Sequence, residues 1–396
     1  MYFCHMNNRQ LFLQHVGQTS PEPMGIEIES AEGIYQTDTN GKKYIDLISG
    51  FSVCNIGHSH PRVLEAIEKQ IKQYMHVIVY GEFIETPQVQ YAHLLTQHLP
   101  DHLNCVFFTN SGAEAVEGAM KLAKRYTNRS KIIAFNNSYH GSTQGAQSIM
   151  GSEYFRNAFR PLLPDIYHCN FNDDAMIELI DEKTACVIIE TVQAEAGIIQ
   201  PRADWIKKIR EKCTDTDTLL ILDEIQCGFG RTGSLWAFEQ YNISPDILLL
   251  GKALGGGMPL GAFIANKKIM EVLTVNPVLG HMSTFGGHPV SCAAGKTAFE
   301  VLTESKCIDT VKDKEKIIQQ KLQHSAIKKL TTAGLWASVR FGNFETNKKV
   351  IHQCIENGLI TDWFLFCPEG LRFAPPLIIS NEELERACNI IVAACK

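Results

Sequence analysis

Two stretches decide the fold: residues 219–233, LLILDEIQCGFGRTG, and residues 246–261, DILLLGKALGGGMPLG. Each begins with a short apolar run that polar or glycine residues stop, which is typical of a strand buried in a parallel sheet. The first run ends at Asp223, and Lys252 follows the second. Because ligands of open α/β sheets gather at the carboxyl ends of the strands, we expect both charged side chains at one sheet edge.

A lysine and an aspartate are both costly to bury alone, so their shared position predicts a catalytic or cofactor-binding role. The amine of Lys252 would bond the carbonyl carbon of a cofactor, and Asp223 would keep a pyridinium nitrogen protonated. Gln226, three residues after Asp223, is close enough to hydrogen-bond a ring substituent. The glycines at 255–257 and Gly261 allow close approach of the backbone. The alternative interpretation is a structural buried salt bridge, which contributes little net stability.

From about residue 60 the chain alternates predicted strands with predicted helices, which favours an α/β fold with a mainly parallel sheet and helices on both faces. The predicted strands are CVFFTN, KIIAF, ACVIIE, LLILD, DILLL and GAFIAN. We predict an N-terminal segment at 1–55, a large domain at 56–295 and a small α+β domain at 296–396. The first segment contains a hairpin with a tight primed turn at Asn40-Gly41, and it is expected to pack with the small domain.

The small domain is predicted to contain helices and short strands. The predicted helices are 311–324, 348–357 and 381–394, and the predicted strands are 337–341 and 371–373.

Composition argues against several classes of function. The 396 residues are 45% hydrophobic and carry a net charge of -6 with both signs mixed, which gives no support for nucleic-acid or membrane binding. No apolar run reaches the ~18 residues of a membrane span, and the first ten residues lack a signal peptide's apolar core. The 13 cysteines include no C-x-x-C pair, so we expect reduced core cysteines and a cytoplasmic protein without a metal site.

Other strand ends carry further candidate residues. Ser111, Gly112 and Ala113 open a helix after CVFFTN, where free N–H groups suit a phosphate. An equally weighted alternative is a capping box of Ser111 with Glu114. Tyr139, after KIIAF, could stack on a flat heterocycle, although packing is the commoner role of such a tyrosine.

Polar residues elsewhere suggest a base, a phosphate ligand and a carboxylate ligand. His140 could be a base, although a structural histidine is commoner, and Thr284 in STFGGHP could bind phosphate. Glu190 and Glu195 suggest a substrate or arginine partner rather than solvated loop charges. Arg372 in GLRFAPPL could fork onto a substrate carboxylate or onto Glu195. No P-loop or G-x-G-x-x-G motif is found.

Together these motifs resemble the class III pyridoxal-phosphate aminotransferases, the group of ornithine, acetylornithine and 4-aminobutyrate aminotransferases. The match runs from IYQTDTNGKKYIDLISG through GHSHP, NSGAEAVE, YHGST, DEIQCGFGRTG, GKALGGGMPLG and STFGGHPVSCAAG to LRFAPPL. The resemblance implies fold type I, pyridoxal 5'-phosphate, and ping-pong transfer from an ω-amino acid or amine to a 2-oxo acid such as 2-oxoglutarate. Two alternatives with the same cofactor are an aminomutase and a decarboxylase, and a third alternative is a non-enzymatic binding protein.

The resemblance also implies a set of cofactor residues. They are Ser111, Gly112, Ala113, Tyr139, His140, Glu190, Asp223, Gln226, Lys252 and Thr284. Lys252 would carry the cofactor covalently and move the proton, and Asp223 would pair with the ring nitrogen. Gln226 would contact the phenolic oxygen and Tyr139 would stack on the ring. Thr284 would reach the phosphate from a second subunit, which makes a homodimer the smallest active unit.

Substrate residues implied by the resemblance are Glu195, Arg372, Ser142 and Tyr80. Arg372 would bind the carboxylate of a 2-oxo acid, and Glu195 would mask it when an ω-amino donor is bound. In ETVQAEAG, threonine and alanine replace the family's usual proline and glycine, but both acids remain. In YHGST, Ser142 stands where relatives carry an arginine for the donor's far carboxylate, so either another cation replaces that arginine or the donor lacks that carboxylate. Tyr80 lies near the expected pocket wall.

Overall fold

The computed structural model describes residues 7–396. The first six residues, part of the predicted N-terminal segment and of the N-terminus predicted to lack a signal peptide, lie outside the described residues. The helices are α1 (Asn8–His15), α2 (Ser49–Ser52), α3 (Pro61–Gln73), α4 (Thr86–Thr96), α5 (Gly112–Thr127), α6 (Gln144–Ile149), α7 (Glu153–Arg156), α8 (Ala203–Asp215), α9 (Lys267–Met270), α10 (Pro289–Glu304), α11 (Val311–Lys321), α12 (Phe344–Glu356) and α13 (Asn381–Ala394). The strands are β1 (Ile28–Glu32), β2 (Tyr35–Asp38), β3 (Lys43–Asp46), β4 (Cys105–Thr109), β5 (Lys131–Phe135), β6 (Ile166–Cys169), β7 (Thr184–Glu190), β8 (Leu219–Asp223), β9 (Ile247–Leu250), β10 (Gly261–Ala265), β11 (Lys329–Thr332), β12 (Ala337–Arg340), β13 (Leu359–Ile360), β14 (Trp363–Phe364) and β15 (Cys367–Phe373).

A seven-stranded sheet in the order β4-β10-β9-β8-β7-β5-β6 forms the centre of the fold. The pairs from β9 to β6 are parallel, and β10 runs antiparallel to both of its neighbours. Every residue of β7, β8 and β9 is buried, because helices cover both faces of the sheet. This explains why these strands are continuous apolar runs, and it confirms the predicted mainly parallel α/β sheet.

Alternate residues of β8 belong to two separate hydrophobic clusters, one on each face of the sheet. Leu220 joins the cluster that contains Trp205 of α8, whereas Ile221 joins the cluster that contains Val116 of α5. Since successive side chains of a strand point to opposite faces, α5 and α8 cover opposite faces of the sheet.

The N-terminal hairpin pairs β2 with β3, but its turn differs from the predicted one. Asp38 pairs with Lys42 through its backbone N–H at 3.0 Å, which leaves a three-residue loop, and only Gly41 in it is left-handed, with φ +77°. A primed turn would need positive φ at Asn40 as well, so that prediction was wrong. The reason is the Asp38 carboxylate, which accepts the N–H groups of Asn40 at 2.9 Å and Lys42 at 3.0 Å.

The hairpin is joined to the C-terminal region by parallel pairing of β3 with β13, which completes the sheet β1-β2-β3-β13. A separate antiparallel sheet, β11-β12-β15-β14, lies among α11, α12 and α13. Helix α12 begins four residues before its predicted start, because the Asn343 side chain caps it by accepting the N–H of Thr346. We keep the boundaries 1–55, 56–295 and 296–396 as a proposal.

Three further observations concern residues 7–396. No helix in this part of the chain is long and apolar enough to cross a membrane. Over the same residues, no group of three or more His, Cys, Asp or Glu side chains is placed to hold a metal ion. The cysteines of this range are free thiols, most of them buried.

Candidate active site

The ends of adjacent strands bring the candidate residues together. Glu190 and Asp223, the last residues of β7 and β8, are partners in the parallel register. Lys252 follows β9 and begins a short 3-10 turn with a left-handed backbone, φ +50°. A lysine in this conformation is strained, and such strain collects at functional sites.

A cavity of about 500 Å³ opens at this sheet edge, a size suited to a small ligand. Its walls contain the predicted cofactor residues with the exception of Thr284. The lining residues are Val53, Asn110, Ser111, Gly112, Ala113, Tyr139, His140, Gly141, Ser142, Glu190, Val192, Asp223, Ile225, Gln226, Cys227, Lys252, Gly257, Met258, Pro259 and Leu260.

Asp223 is held by two hydrogen bonds inside the cavity wall. One oxygen lies 2.7 Å from Nδ1 of His140, and the other accepts the N–H of Ile225 at 3.0 Å. Burial alone would lower the pKa of His140, but the hydrogen bond and charge of Asp223, with the charge of Glu190, raise it above its ordinary value. Because its Nδ1 is bonded to Asp223, His140 acts behind Asp223 rather than as a free base.

Burial lowers the pKa of the Lys252 amine below its ordinary value, although the charges of Asp223, Glu195 and Glu190 oppose this effect. The neutral amine is the nucleophilic form of lysine. The cavity therefore holds an amine that is prepared for attack on a carbonyl carbon.

Glu190 fixes the loop that carries Tyr139. Its carboxyl oxygens accept the N–H groups of Tyr139 and Ala194, each at 3.0 Å. Burial raises the pKa of Glu190 to about 7. Glu190 thus connects the Tyr139 loop with the loop that leads to Glu195.

The start of α5 offers backbone donors to the cavity. Ser111 caps the helix by accepting the N–H of Glu114 at 3.2 Å, but Glu114 binds the N–H of Asn110 at 3.0 Å instead of that of Ser111. Only half of the predicted capping box therefore forms, because Asn110 competes for the carboxylate. The first-turn N–H groups of a helix have no intrahelical partners, which suits them to a phosphate. A Cβ added at Gly112 would meet Cδ1 of Ile225 at 2.8 Å, so a larger residue there would force the Ile225 side chain to move.

Arg372 and Glu195 form a buried bidentate ion pair beside the cavity, with N–O distances of 3.1 and 3.0 Å. Arg372 also donates to Asp362 at 2.7 Å and to the carbonyl of Trp363 at 3.1 Å. Burial would raise the pKa of Glu195, but Arg372 holds it below its ordinary value. Arg372 is 1% exposed, and all of its guanidinium nitrogens are bonded.

Three residues that contact Arg372 were not predicted. They are Asp362, which accepts a hydrogen bond from Nε, and the aromatic residues Phe51 and Phe364. The rings of Phe51 and Phe364 lie 4.8 and 4.3 Å from the guanidinium carbon. Phe51 belongs to α2, where four successive residues are left-handed, with φ between 43° and 66°. Only one of these residues is a glycine, and a left-handed turn costs roughly 1–2 kcal/mol per ordinary residue, so no sequence signal marks this turn.

The remaining predicted residues lie in different places. Ser142 lines the cavity, and its hydroxyl lies 3.2 Å from that of Tyr139. Thr284 is exposed and lies outside the cavity of its own chain. Tyr80 also lies outside it, in a cavity of about 190 Å³ shared with Ser283 and Gly286. The structure of one chain therefore does not place Tyr80 or Thr284 at Lys252.

Unsatisfied polar groups of the cavity match the implied cofactor. Nε2 of Gln226 and Nε2 of His140 are buried without a hydrogen-bond partner among the described residues. A carboxylate for a ring nitrogen, an amine for a carbonyl carbon and free helix N–H groups for a phosphate are also present. The residues therefore fit a phosphate-bearing pyridine aldehyde.

Comparison with known proteins points to one family. Residues 16–395 match the family described as "Aminotransferase class-III". An acetylornithine aminotransferase from Aquifex aeolicus is 36% identical, with 92% of this chain and 96% of that protein covered. One from Methanopyrus kandleri is 38% identical, with coverage of 91% and 92%. The ornithine aminotransferase structure from Toxoplasma gondii superposes with a TM-score of 0.91 at 29% identity, over 99% of this chain and 96% of that one.

Proposed function

The chain belongs to the class III aminotransferases, which depend on pyridoxal phosphate, and from this premise we propose which groups it transfers and how. The donor is an ω-amino acid or another primary amine, and the acceptor is a 2-oxo acid such as 2-oxoglutarate. Both bind in turn at the cavity around Lys252. The observation that carries the proposal is this amine, its pKa lowered by burial, beside the bonded pair of Asp223 and His140. The acetylornithine and ornithine aminotransferases among the similar proteins support an ω-amino donor.

When bound, pyridoxal phosphate supplies a carbonyl carbon that takes up the amino group and a ring that accepts electrons. Lys252 would hold it covalently and, once released, carry the proton between the donor carbon and the cofactor. Asp223, held in position by its hydrogen bond with His140, would bind the ring nitrogen as a cation. Gln226 would donate its unsatisfied N–H to the phenolic oxygen, and Tyr139 would cover one ring face.

The first turn of α5 would bind the phosphate through the N–H groups of Ser111, Gly112 and Ala113. Thr284 would add its hydroxyl from a second copy of the chain, so that the active unit is a homodimer. The position of Tyr80 supports this arrangement, because it shares a cavity with Ser283, next to Thr284. A second copy that delivers Thr284 would deliver Tyr80 to the same site.

Glu195 and Arg372 would be paired in one half-reaction and separated in the other. While they are paired, as in this structure, the arginine is masked and an ω-amine can approach Lys252. A 2-oxo acid would displace Glu195 and take the bidentate contact with Arg372. We also keep the cytoplasm as the proposed location, on the mixed surface charge and the free thiols.

The decisive experiment measures nitrogen balance. Purified enzyme with pyridoxal phosphate, an amine donor and 2-oxoglutarate should form one glutamate for each donor consumed. A mutase would convert the donor without forming glutamate, and a decarboxylase would release carbon dioxide instead. Either result would overturn the transfer reaction for this chain.

A further inference from the structure

The part of the cavity around Ser142, where the tail of the amino donor is expected to lie, lacks a free positive charge. Ser142 lines the cavity and is exposed, and its hydroxyl lies 3.2 Å from the phenol oxygen of Tyr139. Of the cavity-lining residues, only Lys252 and His140 are basic. Lys252 is assigned to the reaction and His140 is bonded to Asp223. Neither is available to bind a carboxylate at the far end of a donor.

A second copy of the chain would not add a cation from the segments that it is proposed to contribute. Residues 269–295, which include Thr284, contain no lysine or arginine, and neither do residues 73–120, which include Tyr80. The arginines that follow the Ser142 loop on this chain are already paired, since Arg156 and Arg160 both bind Glu153. Neither the cavity wall nor the segments around Thr284 and Tyr80 therefore supply a free cation for a carboxylate at the far end of a donor.

Aromatic side chains continue outward from Arg372. We call this set the aromatic rim: Phe51, Phe364, Phe366, Phe155 and Tyr154. Phe51 and Phe364 pack on the guanidinium, and the backbone N–H of Phe366 donates to the carbonyl of Glu195 at 3.0 Å. Ring centroids of Phe366 and Phe155 are 5.4 Å apart, and those of Phe155 and Tyr154 are 5.2 Å apart. Tyr154 is 88% exposed. Phe364 is fully buried and Phe155 and Phe366 are half-buried, so the exposed members of the rim are Phe51 and Tyr154.

We propose that the preferred donor carries no negative charge at the end remote from its reacting amine. It is a primary amine with an apolar or uncharged tail, bound in the cavity with that tail beside the Ser142 hydroxyl. This inference rests on the proposed function. It differs from the ω-amino acid substrates named for the similar proteins, because a hydroxyl cannot replace the bidentate contact of arginine with a carboxylate.

The test compares donors that differ only in the far charge: 1-aminopentane against 5-aminopentanoate, and 1-aminobutane against 4-aminobutyrate. Each is mixed with the holoenzyme without a 2-oxo acid, and the loss of the cofactor's visible absorbance is followed. We expect rate constants per donor concentration at least about tenfold higher for the uncharged member of each pair, the effect of desolvating one charge that gains no partner. Calorimetry of the same pairs with cofactor-loaded Lys252→Ala protein should give the same order of affinity without turnover.

Ser142→Arg should reverse the preference in favour of the carboxylate donors by about tenfold or more. The matched control is Ser325→Arg, which adds the same charge at an exposed serine of the C-terminal region. This control should leave the ratio within each pair unchanged. If both variants change the ratio equally, net charge rather than local contact sets the preference, and the assignment to Ser142 is overturned.

Glutamate in the same absorbance assay separates failure of this inference from failure of the proposed function. If glutamate converts the cofactor and the carboxylate donors react faster than the uncharged ones, the function stands and the uncharged-donor inference is overturned. If neither glutamate nor any amine converts the cofactor, both proposals are overturned. Conversion by glutamate, with faster reaction of the uncharged donors, supports both.

Discussion

Two buried charge clusters lie side by side, and they differ in how completely their hydrogen bonds are satisfied. In the Lys252 cluster, formed by Lys252, Asp223, His140 and Glu190, burial lowers the pKa of the amine and leaves Nε2 of His140 without a partner. In the Arg372 cluster, formed by Arg372, Glu195 and Asp362, every guanidinium nitrogen is bonded. A buried polar group without a partner costs free energy until a ligand supplies one. The Lys252 cluster therefore has hydrogen-bonding groups free for a ligand. A ligand can bind Arg372 only by displacing one of its present partners.

The largest effect is expected from Lys252→Ala. Loss of the covalent link and of the proton carrier should lower kcat for glutamate formation by about 10⁴-fold or more, since acid–base catalysis alone contributes about 10²–10⁴-fold. Lys267→Ala, at a lysine 72% exposed, should change kcat by less than about twofold. Comparable losses in the two variants would show that Lys252 has no special part in the reaction.

A substitution in the Arg372 cluster should mainly lower the free energy of unfolding. Arg372→Ala leaves Glu195 and Asp362 buried without their cation, which should cost about 3–5 kcal/mol in urea unfolding. Arg202→Ala breaks an ion pair with Asp174 whose side chains are 46% and 49% exposed, and it should cost less than about 1 kcal/mol.

A combined variant distinguishes charge from packing in this cluster. Arg372→Met with Glu195→Gln and Asp362→Asn removes all three charges together, so it should recover at least half of the stability lost by Arg372→Ala. No recovery would mean that packing around the guanidinium, rather than uncompensated charge, causes the loss.

The two clusters also differ in how far the sequence predicted them. Lys252 and Asp223 could be placed together because buried parallel strands are continuous apolar runs and their ends meet at one sheet edge. The contact of Arg372 with Asp362 could not, because it depends on the antiparallel pairing of β15 with β14, a strand of only two residues that the sequence pattern does not reveal. Phe51 reaches Arg372 through a left-handed turn that tertiary packing imposes on ordinary residues.

Local hydrogen bonding explains the smaller errors. The Asp38 carboxylate widened the hairpin turn, and Asn110 took the Glu114 carboxylate that the capping box needed. At the turn a side chain accepted backbone N–H groups, and at the cap the N–H groups of Asn110 occupied the carboxylate. Spacing rules do not include such competition. The turn and the cap were thus correctly located but wrong in their hydrogen-bond partners.

The contributions of Glu190 and Glu195 to stability should depend on pH in opposite directions. Burial raises the pKa of Glu190 from 4.5 to about 7, so between these values the folded protein holds a proton that the unfolded chain has lost. Stability from this group therefore falls as pH rises through that window, by up to about 3 kcal/mol. Glu195, whose pKa Arg372 lowers against the effect of burial, instead contributes stability that is lost as pH falls below about 4.5.

The check is urea unfolding of the cofactor-free protein at pH 5 and pH 8. Glu190→Gln should remove part of the fall in stability between these values, because the amide is neutral at both. Glu224→Gln, at a second buried carboxyl with a pKa of about 7, should remove a similar part. If neither variant flattens the profile, both carboxyls are ionised in the folded protein at pH 5, and the assignment of a neutral Glu190 fails.

The smallest expected effect concerns the start of α5. It tests whether Ser111 contributes to cofactor binding or only caps the helix. Ser111→Ala removes a cap and should cost about 1 kcal/mol in unfolding, and Asn343→Ala should cost the same at the cap of α12. The two variants should differ in cofactor affinity, because only Ser111 lies on the cavity wall. Fluorescence titration with pyridoxal phosphate should give about a tenfold weaker Kd for Ser111→Ala and an unchanged Kd for Asn343→Ala. Equal affinities in the two variants would limit the Ser111 hydroxyl to capping, and phosphate binding would then rest on the backbone N–H groups of residues 111–113 alone.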